Sequence, residues 1–167
     1  MKAPLLLCCL NLLIVALLAV SGPAAAAEPD LSKALVIGHG PKTVVEFTDP
    51  DCPFCRRAAA YFATRTDVTL YVFFLPLAKH PEAKRKAQYI LSQTDPATAY
   101  DEVMAGYLDN ADIRALHTTP RGVKLQGQQY EIARKAGIEA TPTFLLFGRI
   151  VEGFDLWKIE ELLGKQR

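Results

Sequence analysis

The chain has 167 residues, half of them hydrophobic, and its 19 Lys and Arg against 18 Asp and Glu leave it close to neutral. That length gives room for one domain with a proper core. No basic stripe with interleaved aromatics occurs, so nucleic acid is excluded as an expected partner.

Lys2 precedes an apolar run from Leu5 to Val20, followed by Ser21-Gly22-Pro23 and the small residues Ala24 to Ala27. This is the charged, apolar, small-residue order of a secretory signal peptide over residues 1–27, with cleavage expected near Ala27. A retained anchor is the alternative, but the run falls short of the roughly 20 residues that cross a bilayer as a helix. A lipid-modified cysteine is another, yet Cys8 and Cys9 lie at the start of the apolar run. Cleavage removes both, so the exported protein is expected to hold only Cys52 and Cys55, in an oxidising compartment. Lys2 is the only charge lost with the leader, and the mature chain stays near neutral.

Residues 28–42 read as an N-terminal arm, a short helix or irregular segment ending in the turn Gly38-His39-Gly40-Pro41, with His39 a solvated turn residue. Thr43 to Thr48 is β-branched and aromatic and predicts a strand. Asp49-Pro50-Asp51-Cys52-Pro53-Phe54-Cys55 follows, and Pro53 suits the first turn of a helix packed through Ala58, Ala59, Tyr61 and Phe62. Val68 to Leu75 is a continuously apolar strand, as in a sheet buried on both faces.

Two helices are expected next. The first begins at Pro81, with Ala83, Ala87, Ile90 and Leu91 inward and the Lys84-Arg85-Lys86 run as a solvated face. The second has Asp95 as N-cap and Pro96 at its first position, with Tyr100, Val103, Met104, Tyr107 and Leu108 as a core stripe. Thr118 to Gly122 reads as a loop, and the nearby His117 as a surface or capping residue. A helix over 124–136 ends at Gly137. A turn at Thr141-Pro142, strands over 143–147 and 150–153, and a helix from Leu156 to Leu163 complete the chain. The pattern is α/β: a mixed sheet with helices on both faces, in a domain over 43–167 with a helical insertion at about 80–122.

The cysteine pair carries the chemistry. Disulfide exchange needs an accessible thiolate, and a cysteine at a helix N-terminus has its anion stabilised by unpaired N–H groups and the helix dipole. Cys52 holds that place, and Cys55, one turn on and more buried, is the resolving thiol. A zinc site needs two further ligands that the exported chain lacks at recognisable spacing, so no metal residue is assigned. A two-cysteine Cu(I) site, in a binding protein or metallochaperone, stays open as the reading from another class. Thr141-Pro142 is where a cis peptide bond is expected, which would set the Thr141 backbone beside Cys52 to bind an extended substrate. Glu46 lies inside an apolar strand. If buried, its raised pKa suits it to relay a proton to or from Cys55; if at an exposed edge, it does nothing of the kind.

Glu46-Phe47-Thr48-Asp49-Pro50-Asp51-Cys52-Pro53-Phe54-Cys55, Ala140-Thr141-Pro142-Thr143-Phe144, Ala99 to Gly106 and Gly153-Phe154 together resemble the thioredoxin-fold periplasmic disulfide enzymes, most closely the catalytic domain of the DsbC/DsbG disulfide isomerases. The resemblance spans about Thr43 to Leu163. It implies a thioredoxin-like fold with the insertion between the second strand and the cis-Pro strand. It also implies a periplasmic thiol:disulfide oxidoreductase without organic cofactor, with Cys52 as nucleophile, Cys55 resolving, Pro142 cis, Thr141 tuning the pair, and Pro53 and Phe54 beside the substrate. Exported proteins with cysteines or disulfides are the implied partners, with a DsbD-like membrane electron donor for a reductase or isomerase and a DsbB-like one for a DsbA-like oxidase.

The chain departs from the isomerases in three ways. Only about a dozen residues separate the expected cleavage site from the first strand, so the chain is expected to lack the N-terminal dimerisation domain and to be a monomer. Glu46 stands six positions before Cys52, as in thioredoxins and DsbA-like oxidases, and no second cysteine pair follows. The direction of electron flow stays open.

Overall fold

The computed structural model describes residues 28–165. The expected leader at 1–27, with Cys8 and Cys9, lies outside the described residues. A 3-10 turn (Leu31–Lys33) leads into β1 (Leu35–Ile37), β2 (Lys42–Thr48), α1 (Pro53–Ala63) and β3 (Val68–Phe74). Then come α2 (Ala83–Ile90), α3 (Pro96–Met104), a second 3-10 turn (Ile113–Ala115) and α4 (Pro120–Lys135). The chain closes with β4 (Thr143–Leu146), β5 (Arg149–Glu152) and α5 (Leu156–Leu163).

The strands form one mixed sheet in the order β1-β3-β2-β4-β5. The central pair, β2 and β3, is parallel, and every other pairing is antiparallel. Side chains alternate across β2: Val44 joins a cluster with α1, α3 and α5, while Val45 and Phe47 join Phe73, Leu75, Ala133 and Ile138 on the α4 face. Both faces are therefore dry, and each fully buried Val or Phe contributes roughly 1.5–3 kcal/mol. By the same alternation Glu46 faces α1 and α3, with Val72 and Phe144 as its neighbours across the sheet.

Several elements match expectation closely. Asp95 caps α3, its carboxylate accepting from the Ala97 and Thr98 N–H groups at 3.2 and 3.1 Å. Such a cap is worth about 1 kcal/mol. Gly40, in the turn before β2, runs so close to the Asp67–Val68 backbone that a Cβ there would collide with it.

Four expectations are corrected. The arm contains a strand, β1, which pairs with β3 through Leu35–Val72 and extends the sheet by one edge. α3 stops at Met104, leaving Tyr107 outside the helix and 74% exposed. The segment read as a loop at Thr118 to Gly122 opens α4: the Thr119 hydroxyl accepts from the Gly122 N–H at 3.1 Å, and Pro120 occupies the first helical position. Gly122 sits there because a Cβ would strike Ser92 at the end of α2. Lastly, Lys86 is no part of a solvated face. It is 2% exposed, on the α2 side shared with Ala83, Ala87 and Ile90.

Candidate active site

β2 ends at Thr48 and α1 begins at Pro53, so the loop between them delivers Cys52 to the helix N-cap position in an extended conformation (φ −80°, ψ 121°). Pro53 takes the first helical place, where a missing N–H costs nothing. The Cys52 N–H donates to the Asp49 carbonyl at 3.1 Å, and the Cys52 carbonyl accepts from the Arg56 N–H at 3.1 Å. Both cysteines are free thiols. Cys55 is fully buried, and Cys52 is 3% exposed, a narrower opening than an accessible nucleophile suggests. Phe54, between them, is 53% exposed.

The facing wall comes from the far end of the chain. Thr141-Pro142 is a cis peptide immediately before β4. Cys52 Sγ lies 3.5 Å from the Thr141 carbonyl oxygen, to which it donates when protonated, and the Pro142 carbonyl accepts from the Gly153 N–H at 2.7 Å. That second bond ties the loop before α5 to the same wall. Phe154, next along, shares the Arg57 guanidinium with Phe54: the cation lies 5.8 and 5.9 Å from the two ring centroids.

The two thiols are driven apart electrostatically. A hydrogen bond from the Cys55 thiol, with the Cys55 and Phe54 backbone N–H groups and Thr141 adding to it against the cost of burial, lowers Cys52 from an ordinary 9.0 to about 5. Burial pushes Cys55 far upward, and its bond to Cys52 and the neighbouring Glu46 push the same way. At neutral pH the pair is one thiolate and one thiol.

Behind Cys55 lies Glu46, 0% exposed, as the apolar surroundings on its strand imply. Burial raises its carboxyl from 4.5 to about 8, with the hydroxyls of Thr48 and Tyr100 holding it back in part. Tyr100 OH donates to Glu46 Oε2 at 3.4 Å, while Oε1 has no hydrogen-bond partner among the described residues. A carboxyl raised to about 8 is largely protonated at neutral pH and ionises just above it, in a dry pocket beside Cys55.

Sequence reasoning missed the residues that hold this arrangement. Tyr100 reads as one more aromatic in a helical stripe, and nothing in the spacing links it to Glu46. Asp49 is fully buried: Oδ1 accepts from the Asp51 N–H at 2.8 Å, and Oδ2 from the Leu77 N–H at 2.8 Å and against His80 Nδ1 at 2.9 Å. Its own N–H donates to Cys55 Sγ at 3.4 Å. Two acids flanking Pro50 just before a cysteine were the available signal. Lys86 and Asp109 also converge on the loop, from opposite ends of the insertion, and no local pattern announces them. Among the described residues no group of three or more His, Cys, Asp or Glu is placed to hold a metal, and no helix is long and apolar enough to cross a membrane.

Residues 29–154 match the model of the thioredoxin-like domain family. A probable thiol:disulfide interchange protein DsbC from Bordetella avium is 32% identical over 75 residues, which are 45% of this chain and 27% of that protein. The chain thus matches only about a quarter of the length of this curated relative. Among solved structures, a disulfide interchange protein from Neisseria gonorrhoeae superposes with a TM-score of 0.67 at 33% identity, covering 80% of this chain and 94% of that one. A linker-deletion variant of Proteus mirabilis ScsC gives 0.64 at 26% identity, covering 81% and 76%. The matched family, the β-sheet order and the Cys52–Thr141-Pro142 pairing agree, and the chain belongs to the thioredoxin-like domain family.

Proposed function

We propose that the chain is a periplasmic thiol:disulfide oxidoreductase acting as a reductase or isomerase on exported proteins. The observation that carries the reading is the placement of Cys52, lowered to about 5 at a helix N-cap, against the cis Thr141-Pro142 wall with Cys55 buried behind it. The expected leader, the disulfide interchange proteins among its relatives and the exposed Phe54 beside the site support it.

The Cys52 thiolate attacks one sulfur of a substrate disulfide, forming a mixed disulfide and releasing the other substrate sulfur as a thiolate that takes a proton from solvent. Once Glu46 is ionised, its carboxylate takes the Cys55 proton as Cys55 attacks Cys52 Sγ. The Cys52–Cys55 disulfide forms, and the second substrate sulfur leaves and is protonated. Two electrons pass to the substrate, and a membrane donor of the DsbD type returns them. In isomerisation the freed substrate thiolate re-attacks within the substrate, and Cys52 leaves again as a thiolate with no net electron transfer. Thr141 offers backbone to an extended substrate strand, with Phe54 and Pro53 at its edge.

A second reading has its own support. A thiolate stabilised to about 5 stabilises the dithiol, which makes the disulfide form more oxidising and suits a DsbA-like oxidase re-oxidised by a DsbB-like partner. Insulin reduction by the purified protein tests the chemistry: turnover lost on Cys52→Ser is expected, and activity surviving that change refutes it. Alkylation trapping in cells gives the direction. A mostly reduced pair is expected, and a mostly oxidised one assigns the oxidase role instead.

A further inference from the structure

We propose that Lys86, on the first helix of the insertion, is a positioning residue of the redox centre: its ammonium holds and neutralises the Asp51 carboxylate, which would otherwise stand beside Cys52 as an opposing charge. The inference deepens the reading of Cys52 as the nucleophile and rests on it.

Five charged side chains meet over the loop that enters α1. Lys86 Nζ lies 2.6 Å from Asp51 Oδ1, 3.3 Å from Asp109 Oδ1 and 3.7 Å from Glu82 Oε2. Arg56 grips Asp109 with both terminal nitrogens at 2.6 Å each, and its Nε donates to the Pro50 carbonyl at 2.7 Å. Its contact with Asp51 is longer, 3.2 Å. Arg56 is thus committed mainly to Asp109 and to the backbone, and Lys86 is the principal counter-ion of Asp51.

The burial of Lys86 is the informative feature. A lysine side chain 2% exposed gives up most of its hydration, and an apolar residue of similar volume would serve the core as well or better. Burial alone would lower its ammonium, yet the hydrogen bond and charge of Asp51, with Asp109 behind them, more than reverse that and raise it. An ion kept at such cost has an electrostatic task, and the group it contacts most closely adjoins the reactive cysteine in sequence. The groups that act directly on Cys52 are Cys55 and the Phe54 and Cys55 N–H groups from α1, Thr141 from the wall, and Glu46 from β2, and Asp51 joins them as its neighbour in the chain. None of these is a cation. Asp49, further back in the loop, is bound to His80. Lys86 and Arg56 therefore supply the positive charge that balances the acidic loop, and Lys86 does so from outside the local motif.

The test is the pH dependence of iodoacetamide labelling of the reduced protein, read by mass spectrometry at the Cys52 peptide. Lys86→Met is expected to shift the Cys52 midpoint upward by about half a unit or more, slowing labelling at pH 5, near the wild-type midpoint, roughly twofold or more. Asp51→Asn in that background is expected to restore the wild-type midpoint, which a purely structural role for Lys86 would not do. Asp51→Asn alone should lower the midpoint, because Lys86 then faces the site unneutralised. Superposed curves for Lys86→Met and wild type, or a double variant that titrates like Lys86→Met, overturn the inference. Should Lys86→Met fail to fold, Asp51→Asn decides, and an unmoved or raised midpoint refutes it. A wild-type Cys52 in the ordinary thiol range would instead break the reading of Cys52 as the activated nucleophile.

Discussion

The two ends of the first turn of α1 place the same side chain in opposite surroundings. At the mouth, Cys52 caps the helix, receives hydrogen bonds from backbone and thiol donors, faces the Thr141 carbonyl and keeps a 3% opening to solvent. One turn inside, Cys55 has no exposure, a single backbone donor at 3.4 Å, and a buried carboxyl behind it. Their pKa values move in opposite directions for that reason alone. Under the proposed function the order of events in exchange follows: Cys52 is ionised before a substrate arrives, whereas Cys55 attacks only once something has taken its proton. On that proposal, mouth and interior divide the task into a standing nucleophile and a conditional one.

The largest test of that division is to remove the conditional half. Cys55→Ser should cut steady-state insulin reduction on the order of a hundredfold while Cys52 still attacks, so that mixed disulfides with substrate accumulate on non-reducing gels. An absence of trapped species together with full turnover would abolish the distinction between the two thiols.

The next test addresses the carboxyl in the interior. Glu46 is raised from 4.5 to about 8 in the folded chain, so the native state holds the extra proton between those values. Folding stability from this group therefore falls as pH rises through that window, and the full penalty applies above about 8. Glu46→Gln should stabilise the protein by roughly 2–4 kcal/mol at pH 8, with the gain vanishing near pH 4, as read by urea denaturation. The same change should slow release of the mixed disulfide, the step that needs the Cys55 proton removed. A stability difference that does not depend on pH would show that Glu46 is not the titrating group.

Tyr100→Phe is the mildest change. It removes the 3.4 Å hydrogen bond to Glu46 and leaves the ring packed against Phe74, so little stability is lost. The loss of a donor to the carboxylate should raise Glu46 further, by about half a unit, and shift the pH profile of mixed-disulfide release upward by as much. An unmoved profile would confine Tyr100 to packing.

The parts of the site legible in the sequence are those whose signals are local. Cys52, Pro53 and Cys55 lie within one turn, a spacing that itself defines a helix N-terminus, and Thr141-Pro142 carries the only dipeptide chemistry that permits a cis bond readily. The burial of Glu46 could be argued because Val44 and Phe47 beside it leave neither face wet. Lys86 was misread because a run of three cations is usually a solvated face, and helical periodicity alone does not reveal a counter-ion 35 residues earlier. The start of α4 was misread because Thr-Pro-Arg-Gly carries turn residues. Only contact with Ser92 and the Thr119 cap made them helical.

By itself, then, the sequence determined the spacing of Cys52 and Cys55, the helix they open, the proline that faces them and the α/β alternation that builds the sheet. Each of these depends on residues a few positions apart, or on a periodicity that continues along the chain. The tertiary structure alone decided which side chains surround the pair: Tyr100 on Glu46, Lys86 and Asp109 around the Asp51 loop, and the edge strand Leu35–Ile37 on β3. Those contacts join residues 23 to 54 positions apart across the insertion, and 33 to 37 across the sheet. Their energies come from burial and desolvation, which exist only once the layers have closed.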